Sequence, residues 1–334
     1  MKSVTRRFVL AAAVLGLAVG SAGRAEAGQV LYASFDNGTI ERFDLATGQD
    51  LGPFASGLNS PQGLAFDASG NLYVANAGNN TIAKITEAGM VSTFASGIDS
   101  PRGLAFDASG NLYVSSNNGN FNGGSPDTIS RITPGGLVST FVSHQDPGVG
   151  VNLANPVGLA FDASGNLYVA ASSFDRISRI TPGGTVSIIA AGSGSGPDPI
   201  GFPTGLAFDK SGNLYSSNGP QAPYITKTTP GGTSSIFASG QGLGNSPFAD
   251  LGLAFDASGK LYVARFTNSL TIDEITPDGT VSPFASGLSS SPRFLAIRDE
   301  SPAAVPEPAT LVQAVSGVAL LGLVAWGRRL RAPA

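Results

Sequence analysis

The stretch Pro61–Ala75 reads P-Q-G-L-A-F-D-A-S-G-N-L-Y-V-A. Two short apolar runs, G-L-A-F and L-Y-V-A, flank the five residues D-A-S-G-N. Gly supplies the positive φ that a tight hairpin needs, and Asp or Asn caps such a turn through its side chain. The pattern is therefore a β-hairpin. Leu72 and Val74 point to one face of its second strand, Tyr73 and Ala75 to the other. Both faces are apolar, so both must be covered.

The same phrase recurs. G-L-A-F-D begins at Gly63, Gly103, Gly158, Gly205 and Gly252, at spacings of 40, 55, 47 and 47. Each copy is followed by a version of A-S-G-N-L-Y-V, an Ile-rich stretch such as Thr128 to Thr133, a P-G-G-like turn, and a stretch resembling V-S-T-F-A-S. Each unit thus holds four short strands, a to d, and is the size of one propeller blade, whose apolar faces are covered by its neighbours. The ends complete the count. Val30 to Ser34, Thr39 to Asp44 and Leu51 to Ser56 supply strands b, c and d with no strand a, while Phe294 to Asp299 matches strand a with no b behind it. The expected fold is all-β: a six-bladed β-propeller of four-stranded blades over residues 28–301, closed by joining its first and last strands (a velcro closure). That closure removes exposed edges.

Composition agrees. The 334 residues include 45 Gly and 22 Pro, only 13 % are charged, and 42 % are hydrophobic, enough for a core between many turns. The formal net charge is −4 and the body of the chain carries no basic block, so nucleic acid is not an expected partner. With no cysteine there are no disulfides or thiolate metal sites. With His144 alone, multi-histidine metal sites are excluded.

The two ends read as targeting segments. Residues 1–27 have a positive start (Lys2, Arg6, Arg7), an apolar run from Phe8 to Val19 and an Ala25-Glu26-Ala27 cleavage site, so cleavage is expected after Ala27. The string T-R-R-F-V-L resembles a twin-arginine signal, and both the twin-arginine and the general route stay open. At the other end a linker, 302–310, carries V-P-E-P-A-T. An apolar stretch, 311–327, is expected to form a transmembrane helix; its run from Leu311 to Trp326 spans roughly 24 Å as a helix. A basic tail, 328–334, holds Arg328, Arg329 and Arg331, which would stay cytoplasmic. A plain C-terminal anchor is one reading. The order of Pro306-Glu307-Pro308, apolar span and arginines closely resembles the PEP-CTERM sorting signal of bacteria, which implies processing by an exosortase-type enzyme and a place in the cell envelope, at the surface or in the extracellular matrix.

The body, over about residues 30–299, resembles the NHL repeat and the propellers of the SMP-30/gluconolactonase and virginiamycin B lyase types. The lactonase type implies a divalent metal, Ca2+ or Mg2+, in the channel, held by acidic and amide side chains. Here the amides are present, while acids enter only from nearby loops (Asp36, Asp175, Asp198, Asp250). The lyase type implies His with Glu and a metal; His144 sits alone in H-Q-D-P-G. The five repeated aspartates, Asp67, Asp107, Asp162, Asp209 and Asp256, read as turn caps.

Loop lengths give a separate argument. The a–b turns are uniform, whereas the long loops, Asn117 to Asp127, Ser143 to Pro156, Ala191 to Pro203 and Ser239 to Asp250, are all b–c or d–a connections. These open on one face, which is therefore the expected recognition face. Before each strand a stand Gln62, Arg102, Val157, Thr204, Leu251 and Arg293. After each strand b stand Phe35, Asn76, Ser116, Ala171, Asn218 and Arg265. From these and the neighbouring loops the candidate ligand-binding set is Gln62, Asn76, Arg102, Asn118, Asp175, Asn218 and Arg265, with no catalytic or metal-ligating residue and no cofactor assigned. The expectation is a binding or scaffold propeller for a polysaccharide or a surface protein, with a metal-dependent lactonase- or lyase-like enzyme as the alternative.

Overall fold

The computed structural model describes residues 28–117, 126–192, 199–219, 224–239, 252–265 and 270–299. Gly28–Glu300 is one compact unit. It contains six four-stranded antiparallel sheets. Blade 2 is typical: strand a is Pro61–Phe66, b Leu72–Asn76, c Thr81–Ile85 and d Val91–Ser96. Blade 1 joins Pro292–Asp299 from the end of the domain to Gln29–Phe35, Ile40–Asp44 and Asp50–Ala55 from its start. The seam pairs Leu31 with Ile297 and Ala33 with Leu295. The expected closure is present. Strand a begins two residues earlier than the G-L-A-F-D phrase suggests, because its proline already pairs with the end of strand b across a register shift, as Pro61 does with Asn76. Gln62, Arg102, Val157, Thr204 and Arg293 therefore lie inside strands rather than before them.

Blade faces separate as the alternation requires. Leu72 and Val74 pack with Val30 and Tyr32 of blade 1. Tyr73 and Ala75 pack with Leu104 and Leu112 of blade 3. In strand d, Ile82 faces Ala95 while Ala83 faces Thr93, so Phe94 is the extra residue of a β-bulge. The bulge lets Phe94 and Ala95, neighbours in sequence, both turn to the Tyr73 side. Tyr73 then meets Phe94 edge-on at 4.9 Å and Phe106 of the next blade at 5.0 Å. The same tyrosine-centred arrangement recurs at Tyr32, Tyr113 and Tyr215. Each edge-on pair adds about 0.5–1.5 kcal/mol beyond the area it buries, so the blade interfaces carry much of the stability of a chain without disulfides.

At the axis the strands a come too close for side chains. A Cβ on Gly63 would collide with the carbonyl oxygen of Arg102, on Gly103 with that of Val157, and on Gly158 with that of Thr204. One residue further on, Leu64, Leu104, Leu159, Leu206, Leu253 and Leu295 are each 6–8 % exposed. They line an axial cavity of only about 60 Å³. In blade 1 Phe294 replaces the glycine, and its buried ring shares a cluster with Val157 of blade 4. The channel is thus narrowed by leucine side chains and Phe294 to a small cavity. Among the described residues no helix is long and apolar enough to cross a membrane. The segments read as signal peptide, linker and transmembrane helix lie outside the described residues.

The repeated aspartates do cap turns. Asp67 Oδ1 accepts the backbone N–H of Ser69 (2.9 Å) and of Asn71 (2.8 Å), and Oδ2 accepts the Asn71 amide (2.8 Å). Asp107, Asp162 and Asp209 repeat this. For Asp162 burial pushes the pKa up, but the side-chain and backbone donors of Asn166 and the backbone of Ser164 outweigh it and leave it below the usual carboxylate value; Asp209 behaves alike. A lowered folded-state pKa stabilises above the unfolded value and stops stabilising as pH falls through the folded one. Asp162→Ala with Asp209→Ala is expected to cost about 1–2 kcal/mol per site near neutrality. In urea melts across pH the gap to wild type should close below about pH 4. A gap independent of pH would show that the carboxylate charge is not what caps the turns.

Candidate functional site

The N-terminal ends of strands a and c and the C-terminal ends of strands b and d open on one face, the ends that the long connections join. The mouth above the leucine ring is polar on blades 2 and 3. The pairings Pro61–Asn76 and Pro101–Ser116 bring Gln62 and Asn76, and then Arg102 and Ser116, to the same end of adjacent sheets. Gln62, Asn76 and Ser116 are 5, 5 and 4 % exposed. The Gln62 amide donates to Ser60 O at 3.5 Å and the Asn76 amide to Thr81 Oγ1 at 3.4 Å, both long. Among the described residues Gln62 Oε1, Asn76 Oδ1 and Ser116 Oγ have no hydrogen-bond partner. A buried polar atom left without a partner costs about 1–3 kcal/mol, so three at one mouth is an arrangement suited to a hydroxyl- or amide-bearing ligand.

The remaining sequence candidates divide. Arg265 Nη1 stands 3.2 Å from Asp273 Oδ2 on strand c of the same blade, a carboxylate the sequence reading missed. Asp273 is 1 % exposed, and burial raises its pKa against the opposing pull of Arg265 and Thr271. The only signal for it was an acid at the third position of strand c, shared with Glu41 of blade 1, where the other four blades have Ala83, Ser130, Ser178 and Thr226. Arg293 at the mouth is held by Asp36, Nε to Oδ1 at 2.5 Å and Nη2 to Oδ2 at 3.2 Å.

Asn218 and Asp175, expected as ligand binders, make their hydrogen bonds within the fold. Asn218 is fully buried; its amide nitrogen donates to Ser216 O and Thr226 Oγ1 at 3.0 Å, and its oxygen accepts from Gly201 N. Asp175 Oδ1 accepts the Phe202 N–H at 2.6 Å, and its carbonyl accepts the Gly192 N–H. This is one case of a repeated clasp. The residue before strand c (Asn80, Asp127, Asp175) holds the N–H of the residue before the next strand a (Ser100, Asn155, Phe202). Its carbonyl holds the chain leaving strand d (Gly97, His144, Gly192). His144 is therefore part of a clasp. Asn118, Asp198, Asp250 and Leu251 lie outside the described residues, as do Ala27 and Pro306, Glu307 and Pro308.

This donor set does not fit the divalent metal that the lactonase resemblance implies. Asn218 and Asp175 are bonded within the fold, Asp36 holds Arg293, Asp273 faces Arg265, and the remaining amides, Gln62 and Asn76, share the mouth with the guanidinium of Arg102. Among the described residues no three acidic or histidine side chains gather.

Residues 58–85 are an NHL repeat. They span the chain entering blade 2 and its strands a, b and c. No curated protein matches the chain. Solved structures share the fold. A Bacteroides caccae protein of unknown function matches with TM-score 0.60 at 14 % identity, covering 82 % of this chain and 100 % of its own. A gluconolactonase from Xanthomonas campestris gives 0.54 at 17 %, covering 80 % and 86 %. Virginiamycin B lyase from Staphylococcus aureus gives 0.51 at 17 %, covering 69 % and 71 %. At these identities the likeness is one of architecture. The NHL-repeat propeller has gluconolactonase-like neighbours.

If Gln62 is kept polar for a ligand, it is a cost to the unliganded fold. Gln62→Met, of similar length without the amide, is expected to raise stability by about 1 kcal/mol in thermal melts. A loss of similar size would mean that the amide is a structural group.

Proposed function

We propose that the chain is an exported binding or scaffold propeller of the cell envelope or extracellular matrix, engaging a polysaccharide or surface protein through its loop face. One observation carries the reading: the polar groups of Gln62, Asn76 and Ser116, unpartnered among the described residues, sit at the mouth of a narrow axis, at the strand ends that the long connections join. Such a site can grip a ligand, and among the described residues the cavity beneath it holds only about 60 Å³. The metal-dependent lactonase or lyase alternative is not adopted, because the donor set at the mouth does not fit a metal.

Delivery follows from the ends of the sequence. Residues 1–27 act as a signal peptide cleaved after Ala27, 28–301 form the working domain, and 302–310 present Pro306, Glu307 and Pro308 to an exosortase-type enzyme. Residues 311–327 hold the chain in the membrane until processing, with 328–334 on the cytoplasmic side.

Fractionation of cells making the full chain, with mass spectrometry of its termini, tests this reading. The expected product starts at Gly28 and is found in the envelope or outside the cell, and a Pro306→Ala, Glu307→Ala, Pro308→Ala variant accumulates with its tail intact. Recovery from the cytosol with residues 1–27 attached would contradict it.

A further inference from the structure

The six blades allow each loop position to be compared with its equivalents, and one position breaks the pattern. The residue before the first proline of strand a has a left-handed backbone in blades 2 to 5: Ser60 (φ 48), Ser100 (φ 43), Asn155 (φ 53) and Phe202 (φ 47). Asn tolerates that conformation through its short polar side chain, and Ser is small. Phe gains nothing from it and is strained there. Strain of this kind is kept where it serves a purpose.

Phe202 points to that purpose by where it stands. Its ring is 43 % exposed, and its N–H is held by Asp175, the residue after Phe174, which is 44 % exposed. Asp175 is itself left-handed (φ 50) and ends the short 3-10 turn Ser172–Phe174. One carboxylate therefore ties together the backbones that present both rings. Arg176 follows, with its guanidinium 5.9 Å from the centre of the Phe174 ring and Nη1 2.6 Å from Asn152 Oδ1. Val151, beside Asn152, is 44 % exposed. Among the described residues these are the three large hydrophobic side chains exposed on the loop face; the others, such as Met90, Leu137, Ile188 and Ile236, lie on the outer strands or the opposite turns.

We propose that Phe174, Phe202 and Arg176 form a platform on the loop face of blades 4 and 5 that binds an acidic saccharide. The apolar C–H face of a sugar ring stacks on the phenyl rings, and its carboxylate takes the free donors of Arg176. Local charge complementarity selects this ligand: among the described residues no carboxylate pairs with Arg176, whose guanidinium stands beside the Phe174 ring. The rings sit on loops rather than along a strand edge, so the platform offers no row of backbone groups to an extended peptide. The site lies within the proposed binding role but uses none of the mouth residues.

Polygalacturonate is the probe, in affinity electrophoresis of the purified full chain, with dextran as the neutral control and poly-glutamate as the acidic peptide control. Retardation by polygalacturonate is expected, weakened at least tenfold by Phe174→Ala and by Arg176→Gln. Phe202→Asn, which installs the residue of blade 3, should weaken binding as much while melting no lower than wild type. Met90→Ser, on the opposite turn face, should leave this binding unchanged, and the fractionation of the full chain, which does not depend on this platform, reports separately on the proposed role. Absence of retardation, retardation insensitive to both phenylalanine variants, or equal retardation by poly-glutamate would each overturn the proposal. A Phe202→Asn variant that binds normally would do the same.

Discussion

The structure depends on how closely the backbones of adjacent inner strands approach around the axis. Gly63, Gly103 and Gly158 each press against the carbonyl of the strand a in the next blade, and one methyl group at any of them would force the ring apart. Other features follow from that approach. Six leucines converge because the strands that carry them converge, and they leave a cavity of about 60 Å³. The serines at Ser34 and Ser115 tie inner strands together: Ser115 Oγ accepts from Gly103 N at 2.8 Å and donates to Val157 O at 2.6 Å. Ser34 does the same between Phe294 N and Gln62 O. Phe294 enters where the last strand, arriving from the far end of the domain, has no glycine, and it stoppers the axis.

A sealed axis moves specific chemistry outward to one face. The turn face is constrained by its capped aspartates, whose three acceptor bonds leave little freedom to vary. The loop face is held at separate points, the clasps at Asn80, Asp127 and Asp175 among them, and between them it can carry insertions. The same residue type thus does different work by position. Aspartate caps a turn at Asp67, clasps a loop at Asp175, braces a guanidinium at Asp36, and sits buried against Arg265 at Asp273.

The sequence made the blades legible because a blade is a local object. Alternation in L-Y-V-A, the glycine and aspartate of the turn, and the unmatched pieces at the two ends required only neighbours in sequence. The candidate site was less legible because its side chains are assigned by partners from other blades. Asn218 looked like a rim amide, and only the loop bringing Gly201 to it shows that it is consumed. Asp175 looked like an acid reaching inward, while Phe202, far along the chain, takes its oxygen. Gln62 and Asn76 were found at the mouth as expected, because their positions follow from strand register alone. Phe174 and Phe202 gave no signal until their exposure and backbone conformation were known.

A denaturant melt of Phe294→Ala tests the sealed axis most directly. If the ring fills a closed channel, its removal leaves a cavity that the surrounding leucines cannot close, and the fold should lose about 3–5 kcal/mol. Unchanged or increased stability would mean that the ring is not packed at the axis, that the channel is open to solvent, and that the loop face is not where recognition has to occur.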